Sequence, residues 1–283
     1  MNILIVSQYY WPENFRINEL SLELMRLGHN VTVLTGYPNY PTGKILKEFL
    51  NDKQKYSYYK GVKIIRVPIF PRGNTKLQLI INYVSFVFSA TFIGIFKLLK
   101  FKFDNVFVFQ TSPIFVGIPS SIIAFIKKAS QIIWVLDLWP ETLSAVGIIK
   151  RKWQIKTLRI IVNIIYSRCD LILTQSKSFI KEIKKYQNKK VLYFPAWTES
   201  VFMDSTKNPA QEITLNTEKF TLIFAGNIGD AQDFPSIIKA ADYLIKNKFH
   251  KFRIIIIGEG SKKNWLIKEV KDRALSDNFE ILK

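Results

Sequence analysis

The chain has 283 residues, enough for two domains, and its 48% apolar share is that of a globular protein with sizeable cores. Lys and Arg outnumber Asp and Glu by 41 to 22, a net charge of +19, which predicts an anionic partner such as nucleic acid, a phosphorylated substrate or anionic lipid, unless the excess lysine only solvates the surface. The single cysteine, Cys169, excludes an intrachain disulfide and fits a reducing compartment, and two distant histidines, His29 and His250, exclude a His/Cys metal cluster.

In chain order, "ILIVS" (Ile3–Ser7) reads as a buried strand rather than a signal peptide, because no basic region precedes it and no small-residue cleavage site follows. A polar, aromatic loop comes next. The spacing of Ile17, Leu20, Leu24 and Leu27 then predicts a helix that Gly28 ends. Strand runs recur at "VTVLT", "KIIRVP", "NVFVFQ", "QIIWVL", "LILT" and "VLYF", with helix-length segments between most of them. Continuous apolar strands alternating with helices predict a parallel sheet covered on both faces, a doubly wound Rossmann-like α/β domain over residues 1–195.

Residues 196–219 contain Pro, Thr, Asn and Ser without an apolar period and read as a linker. At residue 220 the pattern restarts as strand, helix, strand, helix and the beginning of a third strand, up to residue 283. A domain of roughly 65 residues buries only about 60% of its surface. Residues 220–283 are therefore expected to be an incomplete second Rossmann-like domain.

One segment raises the membrane question. From Leu77 to Phe96, "LQLIINYVSFVFSATFIGIF" carries no charge and is long enough to span a bilayer. Gln78, Asn82, Ser85 and Ser89 nevertheless fall on one helical face. A buried core helix, a helix lying in the membrane interface and a true span are the three readings left open.

Ligands of a doubly wound sheet bind at the carboxyl ends of its strands. After the first strand, "SQYYWPENFR" offers Asn14 and Arg16, the latter able to meet a phosphate or sugar hydroxyl, or else to lie over Trp11 or pair with Glu13. After "NVFVFQ", Thr111 and Ser112 offer hydroxyls to a cleft or merely cap a helix. After "QIIWVL", the "DLWPETL" loop combines Asp137, Trp139 and Glu141: a carboxylate able to take a proton from an attacking hydroxyl, and an apolar platform of the kind on which sugars stack. In the second domain, Gly226, Asn227 and Gly229 of "AGNIGDAQ" let a backbone approach a phosphate at a helix amino terminus, and Lys263 follows the similar "GEGSKK" turn. Neither turn has the dinucleotide or Walker spacing.

Together, "QYYWPENFRINEL", "GHNVTVLTGYPNYP", "DLWPETL", "AGNIGDAQ" and "IIIIGEG" resemble bacterial family 4 glycosyltransferases of the GT-B fold, in the subgroup that builds O-antigen, capsule and colanic acid, including fucosamine transferases. The resemblance runs in order from Met1 to the last residue. It implies a retaining transfer, without metal or other cofactor, of a sugar from a nucleoside-diphosphate-sugar. The acceptor it implies is a polyprenyl-diphosphate-linked saccharide at the inner face of the cytoplasmic membrane. Asn227 and Gly229 match the donor-diphosphate loop, and Asp137 and Glu141 the acidic motif facing the acceptor. Two glutamates eight positions apart and a proline-serine-lysine segment, which such enzymes carry, are missing; the resemblance places them beyond Lys283.

Two functions follow as expectations: a glycosyltransferase that is inactive alone if truly truncated, or a non-catalytic, membrane-associated acceptor-binding subunit served by a separate donor-binding chain. Between Lys150 and Lys190, twelve Lys and Arg stand against Asp170 and Glu182, a balance suited to an anionic membrane surface. With no RNA-binding aromatic motif, zinc finger or basic zipper, specific nucleic-acid binding is not expected.

Overall fold

The computed structural model describes residues 1–73, 75–145, 147, 149–198, 213 and 218–282. The chain divides into two compact units, Met1–Asp204 and Ser205–Lys283. Most of the expected 196–219 linker lies outside the described residues.

The first unit runs β1 (Asn2–Val6), α1 (Arg16–Arg26), β2 (Asn30–Gly36), α2 (Lys47–Asn51), β3 (Tyr58–Tyr59), β4 (Val62–Val67) and α3 (Lys76–Ser89). Helix α3 continues through a π-helical turn, Ala90–Gly94, into α4 (Ile95–Leu98). There follow β5 (Asn105–Gln110), α5 (Gly117–Lys127), β6 (Ser130–Val135), α6 (Glu141–Ala145), α7 (Lys152–Arg168), β7 (Leu171–Thr174), α8 (Lys177–Lys184) and β8 (Val191–Tyr193). The sheet order is β3-β4-β2-β1-β5-β6-β7-β8, parallel except for the β3–β4 pair. Every strand run read from the sequence forms a strand; the short α2 and the antiparallel β3 were not anticipated.

The continuous apolar strands are explained by burial on both faces. Leu4, Val6, Leu34, Val106, Val108, Ile133 and Val135 enter one core, which α3, α5, α7 and α8 cover with Phe86, Ile123, Ile165 and Ile183. The alternate residues Ile3, Ile5, Val33, Phe107, Phe109 and Trp134 enter the other core, closed by Ile17 of α1. With a side-chain period of two, neither set can exchange faces without turning both cores outward. The order of strands reverses at β1, which pairs with β2 on one edge and β5 on the other. That reversal opens a crevice at the carboxyl ends of β1 and β5.

Helix α3 starts with a reciprocal cap. Thr75 Oγ1 accepts from Gln78 N, and Gln78 Oε1 accepts from Thr75 N. Asn82, Phe86, Ala90, Gly94 and Leu98, four residues apart, are buried. The other sides of the helix are apolar and exposed, with Phe88 at 60% and Phe96 at 74%. The buried-core reading of this segment is therefore corrected: only one stripe packs. A helix whose stripe is packed on the sheet is not surrounded by lipid either. Within the polar seam, Asn82 and Ser85 turn to the protein, where the Asn82 amide accepts from Gln8 Nε2 (2.7 Å) and donates to the Phe70 carbonyl (2.6 Å).

The second unit runs β9 (Phe220–Ala225), α9 (Phe234–Lys246), β10 (Phe252–Ile257), α10 (Lys263–Asp272) and β11 (Phe279–Leu282), with a parallel sheet of order β11-β10-β9. Phe234, Ile238, Ile254, Ile256, Leu266 and Val270 form its core.

Asn82 is the polar clamp between α3 and the first strand. Replacing it by Ala leaves the buried Gln8 amide and the Phe70 carbonyl without this partner, so Asn82→Ala is expected to lower stability by about 2–4 kcal/mol, read as a lower urea midpoint at unchanged slope.

Candidate functional site

The loops after β1 and β2 are stitched together before they reach the crevice. The Gln8 carbonyl accepts from Gly36 N (3.2 Å) and Thr35 Oγ1 (3.1 Å). The buried Glu13 carboxylate accepts from the backbone N–H groups of Tyr10 (3.2 Å), Asn39 (2.8 Å) and Tyr40 (2.7 Å). Asn18 of α1 donates to the Glu13 carbonyl (2.8 Å), and Arg66 of β4 donates to the carbonyls of Gly36 (3.0 Å) and Trp11. Burial pushes the Glu13 carboxyl up to about 7, against these amide donors, and pulls Arg66 down to about 10. "QYYWPENF" and "GYPNYP" are thus two sides of one junction. The sequence displayed Glu13, but two of its three partners stand 26 and 27 residues away.

A second group lines the same strand ends. Tyr9 Oη donates to Asn82 Oδ1 (3.3 Å) and receives Arg72 Nη1 (3.4 Å), whose guanidinium lies over the Tyr40 ring. Burial raises the Tyr83 hydroxyl above its usual range; Arg72 opposes the shift and Asp137 adds to it, so these three groups share one electrostatic neighbourhood. Asp137, just past β6, is half-buried, and its carboxylate has no hydrogen-bond or ion-pair partner among the described residues. Its backbone is held by the buried Gln110, whose Nε2 donates to the carbonyls of Asp137 (3.2 Å) and Thr111 (2.8 Å). Arg72, Tyr83 and Gln110 were not singled out from sequence, because each is an unremarkable residue until the fold brings it to the crevice.

The other expected residues divide. Asn14 is exposed beside the Glu13 junction. Arg16 neither lies over Trp11 nor pairs with Glu13; it donates to the Trp197 carbonyl, and Trp197 in turn donates to Glu19 (2.8 Å) and stacks on Trp134. Trp139 offers no open platform. It is 7% exposed, meets Phe115 edge-on and donates to Ser112 Oγ (3.0 Å). Ser112 therefore pins that indole instead of capping a helix; the turn that follows begins at Pro113 without a side-chain cap. Glu141 opens α6 and does not lie in the loop. One carboxylate oxygen accepts from Tyr186 Oη (3.1 Å) and lies 3.4 Å from Arg159 Nη2, and the other is buried. Asp137 faces the crevice group, whereas Glu141 is tied to the helices behind it.

In the second unit the two glycine turns pack on each other. Gly226 N donates to the Ile257 carbonyl (3.0 Å), Ile228 N to Glu259 (2.9 Å) and Lys262 N to Ile228 (2.9 Å). A Cβ on Gly258, whose φ is +151°, would overlap the Gly226 carbonyl oxygen. A Cβ on Gly229 would meet the ends of the Asn227 and Gln232 side chains, which can move. A cavity of about 80 Å³ lies beside Gly229, lined by Phe234, Trp265 and Lys262, the last paired with Asp230 (2.9 Å). Lys263 is held by Glu259 (2.7 Å) and the Gly258 carbonyl (3.3 Å), so Lys262 is the cation at this cavity.

Residues 205–283 match the family described as glycosyl transferases group 1. The fold is similar to that of sucrose-phosphate synthase from Thermosynechococcus elongatus (TM-score 0.69, 11% identity, covering 99% of this chain and 69% of that one). It is also similar to that of WaaG, a glycosyltransferase involved in lipopolysaccharide biosynthesis (TM-score 0.62, 12% identity, covering 99% and 69%). The chain thus has the α/β GT-B fold, and its residues 205–283 carry the group 1 glycosyl transferase match. Among individual proteins, the chain is similar to the putative colanic acid biosynthesis glycosyl transferase WcaI of Escherichia coli (strain K12), with 24% identity over 294 residues, 97% of this chain and 70% of that one.

Two outcomes are expected here. The Glu13 carboxyl moves from its ordinary 4.5 to about 7 on folding, so the folded chain keeps a proton that the unfolded chain releases. The resulting stability is complete below about pH 4.5 and is lost as pH rises to about 7, on the order of 3 kcal/mol in all. Glu13→Gln should flatten that part of a stability-against-pH profile. Gly258→Ala should destabilise the second unit by about 2 kcal/mol or more, through backbone strain and the carbonyl overlap, read as a lower melting temperature.

Proposed function

We propose that this protein transfers a sugar from a nucleoside-diphosphate-sugar to a polyprenyl-diphosphate-linked saccharide in the assembly of a cell-surface polysaccharide of the O-antigen or capsule type. In this reading the transfer retains anomeric configuration and needs no metal ion. The observation that carries it is the Asp137 carboxylate at the sheet crevice, without a partner among the described residues and in the neighbourhood of Arg72 and Tyr83. There it can take the proton of an acceptor hydroxyl while the hydroxyl oxygen bonds the anomeric carbon on the same face from which the nucleoside diphosphate leaves with the electrons of its own bond, so that the configuration is kept.

The donor side rests on the match of residues 205–283 to group 1 glycosyl transferases and on the Asn227–Gly229 turn. The pathway assignment is supported by the similarity to WcaI, whose name places it in colanic acid biosynthesis. Peripheral placement on the inner face of the cytoplasmic membrane is supported by the exposed apolar side of α3 and α4. Exposed Trp153, Ile160 and Ile164 on the basic helix α7 support it further. Each cation near an anionic bilayer contributes on the order of 1 kcal/mol.

Asp137→Asn is expected to reduce turnover by roughly 10²–10⁴-fold with donor affinity unchanged. The assay measures transfer from a panel of labelled nucleotide sugars, fucosamine-type donors included, into lipid-extractable product. Wild-type turnover in the variant would reduce Asp137 to a loop residue. Acceptor binding without donor binding in the wild type would instead make this chain an acceptor-binding subunit.

A further inference from the structure

An apolar concavity of the first unit lies between the segment Pro68–Pro71 and the Ile80–Ser89 side of α3, with a volume of about 640 Å³. That size is within the range of small-molecule sites, about 300–1,000 Å³. Phe70, Ile80, Ile81, Val84 and Phe88 form its walls. Leaving these side chains exposed is costly for a soluble surface.

The groove is built on polar fastenings that keep it open. Phe70 N donates to Ser85 Oγ (3.0 Å), and the Phe70 carbonyl accepts from Asn82 Nδ2 (2.6 Å), so the wall segment is fixed to the helix on both sides of one peptide. Two residues further on, Arg72 leaves the groove for the strand-end crevice, where it reaches Tyr9 Oη and covers Tyr40. Asn82, which fixes the groove wall, also accepts from Gln8 and Tyr9 at the crevice. Apolar channel and cation are therefore parts of one structure, joined through Asn82 and the short 70–72 segment. A molecule that satisfies both has a long apolar chain and an anionic head.

We propose that this groove seats the first isoprene units of the lipid-linked acceptor, with Arg72 meeting its diphosphate so that the saccharide is carried past Tyr83 to Asp137. The assignment rests on the lipid-linked acceptor of the proposed function, and it makes α3 a substrate-reading element as well as a membrane contact. Chain and head are recognised separately: apolar burial along about 14 Å of helix for the chain, and charge at Arg72 for the diphosphate.

The test uses the full chain and three soluble probes, farnesyl diphosphate, farnesol and inorganic diphosphate, with affinities measured by calorimetry. Wild-type protein is expected to bind farnesyl diphosphate at least roughly tenfold more tightly than inorganic diphosphate, the gain coming from the buried chain. Val84→Asp, at an exposed wall position, should abolish that gain and leave diphosphate affinity in place, with the circular dichroism spectrum unchanged. Arg72→Gln should make farnesol and farnesyl diphosphate bind alike. Equal wild-type affinity for farnesyl diphosphate and inorganic diphosphate would overturn the proposal. So would a Val84→Asp protein that keeps the chain preference while losing binding to phosphatidylglycerol vesicles, because the groove would then face only bilayer lipid. Binding of farnesyl diphosphate as expected, with no sugar transfer to any lipid acceptor, would leave the groove standing and refute the transferase reading.

Discussion

Strand β1 is bonded along both edges and buried on both faces, and the candidate site hangs from its carboxyl end. A strand held in this way cannot slide by one residue, because a slip would turn Leu4 and Val6 out of one core and Ile3 and Ile5 out of the other. Its exit at Ser7–Tyr9 is consequently a rigid reference point. The loops that follow β1 and β2 are then locked to each other by Glu13, at the cost of holding a carboxyl group where water cannot solvate its charge. Each added hydrogen bond at this junction transfers the rigidity of the sheet to the mouth of the crevice.

Helix α3 works against two different surroundings. Its Asn82–Leu98 stripe closes a core, its Tyr83 side reaches the crevice group, and its remaining surface is apolar and open. The amide of Asn82 reconciles these demands by binding the crevice loop and the groove wall at once. Apolar burial alone would have packed this helix in any rotation about its axis; a buried polar group with three partners selects one.

In the second unit, glycine serves packing before it serves any ligand. The turn after β9 and the turn after β10 approach so closely that a side chain at Gly258 has no room. Asn227 is left exposed in those turns, whereas Gly229 is buried. The cavity beside them is lined by Lys262 together with Asp230 and Asp233, with Lys262 paired to Asp230 and Lys263 committed to Glu259.

The sequence by itself determined the strands, the doubly wound class and the restart at residue 220, because burial on both faces of a parallel sheet writes itself as local apolar runs separated by helices. It also pointed to Asp137, since strand ends are where such sheets bind. Only the tertiary structure decided which flanking residues face the crevice. It buried Trp139 against Phe115 and Ser112, tied Glu141 to Tyr186, took Arg16 to Trp197, and brought in Arg72, Tyr83 and Gln110. Those assignments depend on contacts between residues tens of positions apart, and on which of two nearby polar groups reaches a partner first. A local pattern carries neither kind of information, so the edge of the sheet was legible in the sequence and the direction of each side chain along it was not.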